Sequence, residues 1–292
     1  MRAASALVAE SLRALVAGQD WPADYARLVD DAVLPGDRAP SVVGGITRWP
    51  ALVLACATTC GPVSEDAVQA AVAAALLMAA LDVCDDVEDR ELAPEADPAV
   101  LVNVGTGLLL LFHQVCCTPS LCMLPAPGVR ALVEAALRAC GGQHSDLSRR
   151  ADSAGMCPEE AVAITAAKSA ALVAALCRVG AFTGGVRGLL LARYAAFGYH
   201  LGMAVQMAND LSTVQGRPVR QTDLAHCRPT LPLVYAVQQT GAAWAGTGMP
   251  VPKDALGATW VVLQVHRLRA LRVLDTIERT YPARALLEPF LP

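Results

Sequence analysis

Residues 79–89, Ala79-Ala80-Leu81-Asp82-Val83-Cys84-Asp85-Asp86-Val87-Glu88-Asp89, end the most apolar run of the chain with five carboxylates in eight positions. Residues 70–81 ahead of them contain only Ala, Val, Leu and Met, a composition that favours helix over strand. On a helix Asp85 and Asp89 are i,i+4 neighbours and Asp82 joins them at i−3, which stacks like charges about 5–6 Å apart. A cation between them relieves the repulsion. Carboxylate oxygens suit Mg²⁺, which keeps several waters and takes one or two carboxylates plus phosphate oxygens. The plainer alternative is a solvated helix end before Pro94.

Away from this stretch, apolar residues keep the helical period, and alternating extended runs are almost absent, so the fold is expected to be all-α. Pro and Gly clusters divide the chain into helices expected near 5–17, 24–34, 50–58, 64–88, 98–117, 129–148, 158–179, 188–213, 229–240 and 256–279. No repeat of 20–50 residues is present and no linker is long enough to separate a second core from the first, so residues 1–292 are expected to form one domain.

Hydrophobic residues make up 54% and charged residues 17% of the 292, enough to build a large core. The net charge of −4, without a long basic run, argues against nucleic acid as a partner. Ten cysteines are scattered through apolar segments without zinc spacing, as buried thiols in a reducing cytoplasm are. Residues 1–18 contain Glu10 and Arg13 and lack a signal-peptide pattern. The run 70–81 falls short of the ~20 residues of a membrane span. A soluble, cytoplasmic protein without stable membrane insertion is expected.

A second polar cluster lies on a later helix: Gly198, Gly202, Gln206, Asn209, Asp210 and Thr213. Asn209 and Thr213 share a face, and with Asp210 they offer oxygen ligands; a capped helix end is the simpler reading. Lys168 sits in the apolar run 161–172, where a lysine must be paired, face a polar cavity or snorkel outward. Gly141-Gly142-Gln143-His144-Ser145-Asp146-Leu147 adds an amide and a carboxylate at i and i+3.

In this order the motifs resemble the trans-isoprenyl diphosphate synthase (polyprenyl synthetase) family, from which class I terpene cyclases of the same fold derive. The resemblance runs from about residue 44 to the C-terminus. Asp85-Asp86-Val87-Glu88-Asp89 is similar to the first DDxxD, residues 141–147 to GGQxxDL, and Lys168-Ser169 to the KT pair that grips diphosphate. Phe197-Gly198 through Asp210 is similar to FG…G…QxxDD, and residues 223–232 to DLxxGKxTLP. The departures matter as much. Where elongating synthases have GGKRxRP for the diphosphate of isopentenyl diphosphate, this chain has Gly44-Gly45-Ile46-Thr47-Arg48-Trp49-Pro50. The RRG after the first motif is reduced to Arg90, and the His before it is Cys84. The second Asp-rich motif reads Asn209-Asp210-Leu211-Ser212-Thr213, like the start of the cyclase motif NDxxSxxxE, with Arg217 in place of its Glu. Alternatively Gly216-Arg217-Pro218 matches the family's GKP after one deletion, which makes Arg217 a diphosphate contact; this second alignment is preferred.

The resemblance implies a helical bundle around a central cavity and up to three Mg²⁺ ions, held by Asp85, Asp89, Asn209, Asp210 and Thr213. Asp85, Asp86, Asp89, Asn209 and Lys168 are then the catalytic set. Lys168, Gln206, Arg217, Arg228 and Gln143 would bind a prenyl diphosphate, and Trp49, Phe197 and Tyr199 would form aromatic walls. With the isopentenyl site altered, the expected reaction is ionisation and cyclisation of one prenyl diphosphate. The alternatives are prenyl transfer to isopentenyl diphosphate or another nucleophile, and a non-catalytic partner subunit. Small residues one to two turns before Asp85, Ala80 above all, suggest space for a C20 rather than a C15 chain. A homodimer is a further possibility that the resemblance brings.

Overall fold

The Ala/Leu-rich segments are helices. The computed structural model describes residues 2–34, 42–43, 45–90, 92–93, 95–118, 126–153, 155–214, 225–241 and 250–292. After α1 (Arg2–Ala17) and α2 (Ala23–Val33) comes a two-residue antiparallel ladder, β1 (Val42–Val43) with β2 (Ile46–Thr47), that the sequence did not announce. Then follow α3 (Arg48–Thr58), α4 (Glu65–Glu88), α5 (Pro98–Cys117) and α6 (Ala126–Ser148). α7 (Pro158–Thr165) passes through a wider π turn (Ala166–Ala170) into α8 (Ala171–Thr183). The chain ends with α9 (Gly188–Val214), α10 (Leu231–Thr240), α11 (Lys253–Glu278), α12 (Arg284–Leu287) and a 3₁₀ turn (Glu288–Phe290).

Local chemistry sets the boundaries that position the site. Ser64 caps α4 by accepting the Ala67 N–H at 3.2 Å, with Glu65 and Asp66 in the first turn where the helix dipole favours them. Asp97 caps α5 at 2.8 Å, followed by Pro98 at the first helical position. α4 is the central helix, packed against α1, α2, α3, α5 and α8, and its residues from Ala70 to Ala80 are all buried. α9 lies against α8 and α11. Gly202 lets α9 approach the π turn and the start of α8 closely, since a Cβ there would stand 2.8 Å from the Ala170 Cα and 3.1 Å from the Val173 Cβ.

The expectation that no segment is long and apolar enough to span a bilayer is corrected. By length and composition α4, α5 and the α7–α8 segment Pro158–Thr183 all qualify. The helix of α4 extends beyond residues 70–81 on both sides, and the added residues leave it apolar enough over a spanning length. Two thirds of its apolar window is buried inside the protein, against 39% for α5.

Where α9 meets α11, His200 and His266 face each other with their Nδ1 atoms 3.0 Å apart, and Tyr199 leans on both rings. Burial lowers both imidazoles; the neighbouring His200 and Arg269 add to the effect on His266, which falls to about 4 from 6.5. The unfolded chain therefore binds more protons than the folded one between these values. The stabilisation is complete above pH 6.5 and is lost as pH falls toward 4, by up to about 1.4 kcal/mol per pH unit. The urea midpoint is expected to drop across this window, and His266→Gln to flatten that region of the profile.

Candidate active site

Four carboxylates lie at the C-terminal end of α4, where the helix dipole disfavours negative charge. Cations from two other elements compensate. The Lys168 Nζ, carried on the π turn, lies 3.2 Å from Asp85 Oδ1, 3.9 Å from Asp89 Oδ2 and 3.0 Å from Asp146 Oδ2. Arg228 donates through Nη2 to Asp89 Oδ1 at 3.0 Å and through Nη1 to the Leu147 carbonyl at 3.2 Å. The lysine is thus paired, inside a cage contributed by α4 and α6. π turns recur at functional sites because the extra residue redirects a side chain out of the helical register.

A polar relay joins this cage to α9. Ser169 Oγ donates to Gln206 Oε1 at 2.9 Å, and Gln206 Nε2 donates to Asp210 Oδ1 at 3.0 Å. The ends of α4 and α9 therefore meet at one site. Burial raises the Asp89 carboxyl to about 6, against the pull of Lys168 and Arg228. Burial also raises Asp210 to about 7, with the Gln206 hydrogen bond opposing it. For Lys168 burial acts downward, but Asp146, Asp85 and Asp89 together outweigh it and hold the ammonium above its ordinary range.

Two backbone features fix the geometry. Gly142 of α6 rests on the π turn: a Cβ there would stand 2.4 Å from the Lys168 backbone nitrogen. Gly142→Ala is expected to force these elements apart at a cost of about 1–3 kcal/mol. Urea denaturation measures that cost, and a loss of diphosphate affinity larger than the loss of stability would place the effect at Lys168. Cys227, buried with φ 53, stands where the resembling motif has Gly, in the left-handed region few side chains adopt. Its carbonyl accepts the Ala151 N–H at 2.8 Å, which anchors the segment that presents Arg228.

Not every expected site residue joins this cage. Asn209 is exposed, and the Thr213 hydroxyl donates to the Asn209 carbonyl at 3.2 Å, so of the expected ligands on α9 it is Asp210 that is tied into the relay. Asp86 is half-buried on the last turn of α4. Phe197 is fully buried in the main core rather than bordering an open space, and Tyr199 sits with the two histidines. Trp49 stacks under Arg48, whose Nη2 donates to the Phe290 carbonyl. Ala80 is fully buried within α4. Arg217 lies outside the described residues. Asp146, Ser169 and Gly142 were not singled out as site residues, although the GGQxxDL and KT matches contain all three.

The donor set fits a hard divalent cation. Three carboxylates already surround one positive charge, and both polar atoms of the Gln143 side-chain amide are buried without a hydrogen-bond partner. Among the described residues no three His, Cys, Asp or Glu side chains are arranged to hold a metal outright, since the ammonium of Lys168 stands between them.

The family model described as Polyprenyl synthetase matches residues 41–245. The (2E,6E)-farnesyl diphosphate synthase of Mycobacterium tuberculosis (strain ATCC 25618 / H37Rv) is 30% identical over 212 residues, 66% of this chain and 57% of that protein. The geranylgeranyl diphosphate synthase of the same organism is 28% identical over 207 residues, again 66% of this chain and 59% of its own length. The matched segment therefore spans less than two thirds of these relatives. In structure, the chain is similar to polyprenyl synthase from Caulobacter crescentus CB15, solved with calcium and isoprenyl diphosphate, with a TM-score of 0.79 at 20% identity over 99% of this chain and 93% of that one. The all-α bundle is that of these synthases, and the matched segment contains the α4, α6, π-turn and α9 side chains of the cage: the chain belongs to the polyprenyl synthetase family.

Proposed function

We propose that the protein is a Mg²⁺-dependent, cytoplasmic enzyme of one catalytic domain that ionises an allylic prenyl diphosphate and cyclises the resulting cation. The observation that carries the cyclase reading is Arg48. It is the one basic residue left in the segment 44–50, and its guanidinium is bound to the Phe290 carbonyl and laid over Trp49, 5.4 Å from the ring centroid. Ile46 beside it is buried. The one basic side chain of this segment is thus engaged within the protein, which supports a reaction in which the substrate's own double bonds are the nucleophile.

Magnesium bound by Asp85, Asp89 and Asp210, with Asp146 beside them in the cage as a further ligand, would supply the charge that neutralises the departing diphosphate. Lys168 would donate to that diphosphate as a point charge, and Gln143, whose side-chain amide is buried without a partner, would add a donor. Arg228 acts from behind: buried and bound to Asp89, it orients the carboxylate rather than touching substrate. The apolar bundle keeps water from the cation. The relative solved with calcium and isoprenyl diphosphate supports this ligand class.

A second reading, prenyl transfer to isopentenyl diphosphate, is favoured by the similarity to farnesyl and geranylgeranyl diphosphate synthases. The test is the pure protein with farnesyl or geranylgeranyl diphosphate, with and without isopentenyl diphosphate. Cyclic hydrocarbon or alcohol and free diphosphate without the co-substrate support cyclisation; a longer linear diphosphate made only with it supports transfer; no turnover with either leaves the non-catalytic subunit. The alanines at 73–75 and 79–80 favour geranylgeranyl diphosphate, while the complete burial of Ala80 speaks against its lining the tail.

A homodimer belongs to the proposal. α5 exposes Val102, Leu109 and Leu110, the last 64% exposed, along one side of an apolar helix. Leu110→Glu is expected to shift the protein to monomer in sedimentation velocity; an unchanged distribution would remove α5 from the interface.

A further inference from the structure

We propose that Lys168 is a resident counter-ion of the carboxylate cage that competes with the divalent cation for Asp85 and Asp146 and releases them when a diphosphate takes its ammonium. The inference rests on the metal-dependent reading above and adds an order of binding to it.

The geometry supports it at each point. The ammonium is 3.0 Å from Asp146 and 3.2 Å from Asp85, hydrogen-bonding distances to oxygens that a Mg²⁺ ion would hold at about 2.1 Å. An ion sharing those oxygens would sit roughly 4 Å from the lysine nitrogen, a repulsive contact in a site with little water. One of the two cations must leave. The backbone of Lys168 does not move with it: Gly142 presses on its nitrogen from α6, and the adjacent Ser169 is tied to Gln206 of α9. The four-carbon side chain is left as the movable element, and a diphosphate offers it more acceptor oxygens than the cage does.

Diphosphate and metal therefore bind cooperatively, and each raises the other's affinity by the same factor. Metal alone binds weakly because it must displace Lys168. A diphosphate alone meets the bare carboxylates once the ammonium turns away. The usual size of such coupling is on the order of tenfold.

The test is Mn²⁺ binding to the full chain, followed by the electron paramagnetic resonance of free Mn²⁺, with and without inorganic pyrophosphate and with Mn²⁺–pyrophosphate association in buffer subtracted. In the wild type, pyrophosphate should tighten Mn²⁺ binding about tenfold or more. Lys168→Met should bind Mn²⁺ about tenfold more tightly than wild type without pyrophosphate and lose most of the coupling, whereas Lys168→Arg should retain weak binding. Lys168→Met binding no more tightly than wild type would overturn the proposal. So would tight wild-type binding that pyrophosphate leaves unchanged, with the metal-dependent reading still standing. Absence of Mn²⁺ binding under all conditions would overturn both. Circular dichroism monitors folding, and if Lys168→Met does not fold the wild-type titrations with and without pyrophosphate decide alone.

Discussion

Asp85→Ala is expected to lower diphosphate release from an allylic diphosphate by about a thousandfold, the usual loss when a group that stabilises developing charge is removed. The fold should survive, because the substitution relieves crowding at the negative end of α4 and Lys168 keeps Asp146 as its partner at 3.0 Å. Single-turnover release of diphosphate at saturating Mg²⁺, together with a thermal melt, separates the two effects. Near-normal release by a folded Asp85→Ala protein would remove Asp85 from the catalytic set.

The largest effect on stability is expected at Arg228. Its side chain and that of Asp89 are each only 9% exposed, and their contact is 3.0 Å. Deleting the guanidinium leaves a buried carboxylate, and also leaves the Leu147 carbonyl without its donor. Breaking such a pair from one side costs about 3–5 kcal/mol. At roughly 2–4 °C per kcal/mol for a large domain, Arg228→Ala should lower Tm by roughly 6–20 °C. The exposed pair Arg130–Glu134, one helical turn apart on α6, provides the contrast, and Arg130→Ala should leave Tm unchanged. Equal melting of the two variants would show that the Asp89–Arg228 contact is not a buried ion pair. Arg228→Lys, which restores the charge without the forked donors, should recover some of the loss.

The helices were legible because their signals are local. Pro98 and Pro158 mark helix starts, the apolar period marks the buried sides, and α5 begins and ends where the sequence placed it. The junction of α7 and α8 was not legible, since a π turn differs from an α turn by one residue and Ala166-Ala167-Lys168-Ser169-Ala170 has no residue that demands it. It arises where Gly142 from α6 comes into contact, a neighbour distant in sequence and visible only after folding.

The same division holds for the site. The order of the motifs and the cost of carboxylates at the end of an apolar helix singled out Asp85, Asp89, Lys168, Gln206, Asp210 and Arg228, and folding brings these side chains into neighbouring polar contacts. Their roles were not separable there, because Lys168 and Arg228 are both cations that a sequence shows as equally free to meet a ligand. Their surroundings differ in the fold: Arg228 is enclosed and bound to Asp89 and two carbonyls, while Lys168 stands among three carboxylates on the π turn. Likewise Arg48 reads as the last remnant of a diphosphate grip until the C-terminal turn brings the Phe290 carbonyl to it from 242 residues away. Sequence by itself determined which residue types stand on which helix, since capping and periodicity act within a few residues. Which partner each charge takes was decided only by the tertiary structure, because Coulomb attraction and desolvation depend on distances and burial that exist only once α4, α6, the π turn and α9 have packed together.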